Sequence, residues 1–424
     1  MQLNSNEHHD HGSEAAMAHH SWLSTTVWGM TSAMCLMGCT TPYKHPILLT
    51  HDNSKPSIQG IKQILASQHK DRPEMDIIAV HGMCTHDSSW AIESINALSE
   101  QLGAAPVESI APTQVEASDA LIYKRSLNLS EGTVNIAALV WSPVLTPLKA
   151  QLCYDQSNKT GVCGRGSDKP DFLPKEITSP DFKETRALVN RLGKDRLMDD
   201  CLADAVAYQG RAREGISLQV QEAILAAAVP GKHTRKHDEL RTEVAARHTP
   251  LVIFTSSLGS KVGFDAIDAL RAHGGADNAA AEALFTRVQS IFMSANQIPI
   301  LQLADQTLEE AGDLNVRQQP VADDSLARLL STYAPRMRLT TEGTDLKSNT
   351  PLVVFLSDPN DLLSYSLRNS PRRPAYATVD VVVSNARTWF GLLENPLVAH
   401  TGYLAQPEIA EIVVNGYKPD ADDN

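Results

Sequence analysis

Six short runs of mainly β-branched and aliphatic residues recur along the chain, at 76–80 (DIIAV), 134–141 (VNIAALVW), 251–255 (LVIFT), 288–293, 352–356 (LVVFL) and 379–383 (VDVVV). None alternates apolar with polar residues, which is the pattern of strands buried on both faces. Between the runs the apolar residues take helical spacing: Ile92, Ile95, Leu98 and Leu102 follow the first, and Val262, Ile267 and Leu270 follow the third. Parallel strands need crossover connections, and helices are the usual ones. The rhythm therefore predicts an α/β fold, a mostly parallel central sheet flanked by helices. With 424 residues, 42% hydrophobic and 21% charged, there is enough apolar material for one large core. The interval 151–247 interrupts the rhythm. It carries Cys153 and Cys163 around a turn-like DQSNKTGV, a proline-containing stretch near 170–180, and helical spacing at Ile216, Val220 and Ile224. It reads as an insertion that folds over one end of the sheet as a lid or cap, within a main domain at 76–424.

Charge narrows the partners. Lys and Arg number 37 against 50 Asp and Glu, a formal net charge of -13, so electrostatic binding to nucleic acid or to anionic lipid is disfavoured. No G-x-x-x-x-G-K-[ST] loop is present. Outside the run Glu7-His8-His9-Asp10-His11, no closely spaced His, Cys, Asp or Glu set has metal-ligand spacing. No cofactor and no metal are expected.

The chemistry gathers at strand ends. The run 251–254 leads into Thr255-Ser256-Ser257-Leu258-Gly259-Ser260 and then a helical pattern. A serine on a sharp strand-to-helix turn is the setting of a nucleophile elbow, although Ser-rich turns also arise simply as helix N-caps. Ser257 has Gly259 two residues on, as a G-x-S-x-G elbow requires, while Thr255 stands where the first glycine would be. Ser256 and Ser260 lack a glycine at that offset. After 76–80 comes His81-Gly82-Met83-Cys84; after 352–356 comes Ser357-Asp358-Pro359-Asn360-Asp361; and His400 follows the last strand.

These loops, in this chain order, resemble those of the α/β-hydrolase superfamily, whose order is Ser, Asp, His. The resemblance covers roughly 76–416 without the insertion. It implies Ser257 as nucleophile, His400 as base and Asp361 as the acid, with Asp358 and Asp305 as the other candidates for that last role. It also implies an oxyanion hole from the backbone N–H groups of Met83 and Leu258, supported by His81, Gly82 and Gly259.

The N-terminus holds a second resemblance. Residues 22–38 contain no charge and end in Leu36-Met37-Gly38-Cys39, similar to the lipobox of bacterial lipoprotein signal peptides. In that family the leader is cleaved before the cysteine, which then carries lipid. The resemblance implies a signal peptide at 1–38, a lipid-modified Cys39, and a segment at 39–75 that tethers the domain to the cell-envelope membrane. No Lys or Arg precedes the apolar run, and Met17 is an alternative start. Of the cysteines outside this leader, Cys84, Cys153, Cys163 and Cys201, an exported chain would make two disulfides, and the short loop favours Cys153 with Cys163. The expected function is a lipid-anchored serine esterase or lipase-like hydrolase acting on a small-molecule or lipid ester. The alternative is a non-catalytic lipoprotein of the same fold that serves as a binding or interaction module.

Overall fold

All six aliphatic runs lie side by side as the parallel heart of one sheet. The structure is a computed structural model that describes residues 39–50, 57–68, 70–156, 161–164, 187–231, 234, 236–309, 325–340, 351–366 and 376–418. The leader at 1–38, with its His-rich run, and the stretch at 170–180 lie outside the described residues. The chain forms two units, one of residues 1–42 with 386–395 and one of residues 43–385 with 396–424.

The first unit carries β1 (Cys39–Thr40). In the second, β2 (Ile47–Leu49), β3 (Glu74–Val80), β4 (Pro112–Val115), β5 (Ser118–Leu129) and β6 (Gly132–Val140) are followed by β7 (Leu251–Ser256), β8 (Val288–Ser294), β9 (Leu352–Ser357) and β10 (Thr378–Val382). β11 (Thr388–Trp389) returns to the first unit and pairs antiparallel with β1. The other nine strands form one sheet in the order β2-β10-β9-β8-β7-β3-β6-β5-β4. From β10 to β6 every pairing is parallel; β2 at one edge and the β4–β5 pair at the other are antiparallel.

The flanking helices are α1 (Ile61–Ala66), α2 (Ser88–Gln101), α3 (Arg213–Ala227), α4 (Leu258–His273), α5 (Gly275–Thr286) and α6 (Pro407–Asn415). Neighbouring strand residues point to opposite faces. Accordingly Ile77, Val252, Phe254, Val354 and Leu356 join one hydrophobic cluster with α1, α2 and α6. Ile78, Ile253, Val353 and Phe355 join a second with α3, α4 and α5. Both faces are covered, which is why the strand runs show no alternation.

Two stretches pack into the sheet domain's layers although the sequence reads one as a tether and the other as an insertion over one end of the sheet. Ile47–Leu49 pairs with Val382–Asp380, and Ile58 bridges Tyr417, so the segment expected as a tether contributes an edge strand and core residues. A three-residue strand carries too little periodicity to be read beforehand. Within the 151–247 interval, α3 packs on β5, β6 and α4 and buries Ile216, Val220, Ala223 and Ile224 in the core, forming part of the helical layer. The part of the interval nearer the sheet's C-terminal end is Gly193–Leu202, tied to the loop after β3 by Cys84–Cys201 and by Asp200 accepting from the Thr85 N–H at 3.1 Å. Cys153 pairs with Cys163. Among the described residues no helix is long and apolar enough to cross a membrane.

Candidate active site

Ser257 lies at the junction of β7 and α4 with φ +52° and ψ -130°, in the region of positive φ that a residue with a side chain rarely adopts. The turn is sharp because its neighbours permit close approach. A Cβ on Gly259 would stand 2.0 Å from the His81 carbonyl oxygen, and one on Gly82 would stand 2.5 Å from the Ser257 Cβ. Both positions therefore require glycine. Thr255, where a first glycine was missing, is buried with its hydroxyl 2.9 Å from the Ser260 Oγ, which laces the elbow rather than obstructing it. The Ser256 Oγ is engaged with Ser294 at 2.7 Å.

The competing view of Ser257 as an ordinary cap has a direct geometric test. Ser257 does precede the first turn of α4, yet its side chain makes no capping hydrogen bond. Instead its Oγ lies 3.0 Å from the His400 Nε2. The His400 Nδ1 lies 2.8 Å from the Asp361 Oδ1. A carboxylate only accepts, so in neutral His400 the Nδ1–H donates to Asp361 and the bare Nε2 accepts from the serine hydroxyl. All three side chains are buried.

Asp361 is held on its other side as well. Its Oδ2 accepts from the Tyr403 hydroxyl at 2.9 Å, and its Oδ1 accepts from the Leu363 N–H at 2.9 Å. Burial, and then the Asp361 charge, push the Tyr403 hydroxyl well above its ordinary pKa, so it remains a donor. Asp358 has different work. Its Oδ1 accepts from the Asn360 N–H at 2.9 Å and its Oδ2 from the Asn385 N–H at 2.6 Å, which folds the turn that presents Asp361. Asp305 pairs with Arg213 and Lys261, both at 3.0 Å.

His81 is fully buried, and its Nδ1 lies 2.7 Å from the Gly82 carbonyl, which can only accept. Its Nε2 therefore accepts, from the Trp141 N–H at 2.9 Å and the Ser142 N–H at 3.2 Å. The ring stacks on Trp141 at 5.2 Å between centroids. Burial, and then the neighbouring His86, hold His81 well below the ordinary histidine pKa. It is a neutral strut that shapes the Gly82-Met83 loop. Met83 lines a small cavity with Ser257 and His400, and the Leu258 N–H is the first of α4, where helix amides have no intrahelical acceptor.

A larger cavity of about 430 Å³ adjoins it, and His86, Trp90 and Glu93 line both. Its wall includes Lys149, Asp199 and the Cys84–Cys201 pair. Tyr403, His86, Trp141 and Ser142 were not singled out from the sequence. Only their spatial meeting at strand ends gives them a role, and Trp141, at the end of the run 134–141, carried the nearest thing to a signal. Among the described residues no group of three or more His, Cys, Asp or Glu side chains is arranged to hold a metal ion.

The fold and site together define an α/β protein with a buried serine–histidine–aspartate hydrogen-bond chain at the C-terminal end of its parallel strands, the end where open α/β sheets place their ligands. No family model matches the chain, and comparison with curated proteins and with solved structures finds no match either.

Proposed function

We propose that this chain is a serine hydrolase of the α/β-hydrolase fold, cleaving carboxylic esters through an acyl-enzyme intermediate and held at a bacterial cell-envelope membrane by lipid on Cys39. The observation that carries the catalytic reading is the continuous hydrogen-bond chain Ser257 Oγ, His400 Nε2, His400 Nδ1, Asp361 Oδ1. A serine hydroxyl is too weak an acid to attack an acyl carbon unaided, and this chain provides a base for its proton and a carboxylate to steady the resulting imidazolium.

In the first half-reaction the Ser257 Oγ attacks the ester carbonyl as His400 takes its proton. The oxyanion faces the N–H groups of Met83 and Leu258, each contributing on the order of 3 kcal/mol to lowering the barrier. The tetrahedral adduct expels the alcohol, which receives the proton from His400. In the second, His400 deprotonates a water that attacks the acyl-serine; the tetrahedral adduct then expels the Ser257 Oγ, which takes the proton back from His400, and the carboxylic acid departs. The adjoining cavity is of the size that takes a small-molecule substituent, so the part of the substrate beyond the ester bond sits there.

The test is a stopped-flow comparison of the parent chain and Ser257→Ala on a chromogenic ester panel. The parent should release a burst of alcohol stoichiometric with enzyme and then turn over. Ser257→Ala should show neither, with thermal stability close to the parent's. Hydrolysis retained by Ser257→Ala would place the nucleophile elsewhere.

A further inference from the structure

Single exposed leucines and valines are scattered over this molecule as over any protein, and they need no explanation. Among the described residues, the stretch after β10 combines such exposure with two aromatic rings. Over Trp389-Phe390-Gly391-Leu392-Leu393 all four large side chains are out in solvent, with Trp389 56% exposed, Phe390 52%, Leu392 86% and Leu393 66%. The stretch is an ordered hairpin. The Trp389 N–H donates to the Leu393 carbonyl at 2.7 Å, and the Leu392 N–H donates to the Trp389 carbonyl at 2.9 Å. Phe390 and Gly391 both have positive φ, +53° and +65°, as a tight turn with a left-handed centre requires. Phenylalanine is a costly choice for such a position, and here it places an aromatic ring at the tip.

What identifies the partner is the strand beside it. In the unit that contains this hairpin, Cys39 is the residue paired with Trp389, and Thr40 pairs with Thr388. The Thr388 hydroxyl donates to the Thr40 carbonyl at 2.9 Å, which fastens the pair. Paired residues of an antiparallel ladder lie about 5 Å apart at Cα. A lipid on Cys39 would therefore enter a bilayer within one strand spacing of the hairpin's base. Trp389 and Phe390 have the amphipathic and aromatic character that favours the headgroup boundary, and the leucines at the tip have the apolarity of the acyl region. Exposed Arg387, two residues before Trp389, supplies a cation at headgroup level.

We propose that the 389–393 hairpin is a membrane-docking element that inserts into the lipid surface beside acylated Cys39, giving the anchor a second, protein-borne foothold. This rests on the reading of Cys39 as lipid-modified. Acyl chains alone hold the protein at a membrane but do not set its orientation there. A hairpin paired to the acylated residue would fix the orientation of this unit at the surface.

The test uses the full chain expressed in a bacterial host, purified as processed, and reconstituted in phosphatidylethanolamine–phosphatidylglycerol vesicles with acyl chains brominated near the headgroup. Of the five tryptophans, Trp22 and Trp28 precede the cleavage position, Trp141 is fully buried and Trp90 is half-buried in the cavity wall, so Trp389 is the strongly exposed reporter and Trp389→Phe separates its signal from that of Trp90. Bromine should quench a fluorescence component that Trp389→Phe lacks, and Leu392→Ser/Leu393→Ser should reduce that quenching at least threefold while remaining vesicle-bound. Protein that floats with lipid-modified Cys39 but shows quenching indifferent to Trp389→Phe overturns the hairpin and leaves the anchor standing. Protein that stays in the supernatant with unmodified Cys39 by mass spectrometry overturns both. A dimer in detergent that Leu392→Ser/Leu393→Ser abolishes, together with unquenched Trp389, would assign the surface to a second copy and also overturn the proposal.

Discussion

Asp358 and Asp361 lie three residues apart in one turn, and their hydrogen bonds divide the labour between them. Asp361 meets the His400 Nδ1, whereas Asp358 takes two backbone N–H groups. An amide at 361 would offer its NH₂ or its neutral oxygen to the imidazole and unsettle the tautomer that leaves Nε2 bare. Asp361→Asn should therefore lower kcat on the order of 10⁴-fold with little change in KM. Asp358→Asn should lower kcat less than tenfold and act mainly on stability. Ester kinetics and thermal melts of the two variants check this, and equal losses of kcat would contradict the assignment. At this scale the sequence carried the loops and their order, because each candidate follows a recognisable strand. It did not separate the two aspartates by more than position, and it gave no sign of Tyr403, whose hydroxyl reaches Asp361 from 42 residues away. Such partners are set by how the last helices fold back, which no local pattern encodes.

Strands were legible in proportion to how completely both their faces are buried. The six parallel strands announce themselves as aliphatic runs. β5 does not, although at 12 residues it is the longest strand among the described residues, because Lys124 and Arg125 sit in its middle. Lys124 is nevertheless buried, and its Nζ donates to the carbonyls of Ala226, in the last turn of α3, and Val229, just beyond it, at 2.7 and 2.9 Å. That acceptor pair exists only once α3 is docked, and α3 itself reads in sequence as part of an insertion. The N-terminal end of β3 shows the same effect. Asp76 opens an apolar run, yet it is buried and accepts from Arg247 Nε at 2.6 Å, Arg287 Nη1 at 2.5 Å and Asn135 Nδ2 at 3.0 Å. Deleting the carboxylate would leave the buried Arg287 guanidinium without its carboxylate partner and facing Arg247, which keeps Glu74. Breaking such a pair costs about 3 kcal/mol. Asp76→Ala should lower the unfolding free energy by about that amount in urea titrations, with the catalytic geometry at the far end of the strand intact. A midpoint equal to the parent's would show that the cluster contributes nothing net.

Across the whole molecule, the loop after β3 connects stability to pH. Burial pushes His86 down to about 4, and its Nε2 donates to the Met83 carbonyl at 3.1 Å. The unfolded chain, with an ordinary histidine value near 6.5, binds more protons than the folded chain between those two values. The His86 contribution is therefore fully present above pH 6.5 and is lost as pH falls towards 4. His81 acts in the same direction. Asp204, which burial raises to about 6, acts in the opposite one, so the observable is the difference between chains. Between pH 6.5 and pH 4 the parent should lose about 2 kcal/mol more stability than His86→Gln, allowing for partial solvent screening of the ring. Parallel urea-derived profiles for the two would contradict the assignment. The central claim is that Ser257 is a nucleophile activated by His400 and Asp361. A fluorophosphonate tests it most directly, because it phosphonylates only an activated serine and leaves a mass increment that survives digestion. Peptide mass spectrometry of the folded, treated chain should show a single adduct on Ser257, abolished in His400→Ala. An unlabelled Ser257 peptide, or an adduct on another residue, would contradict the account.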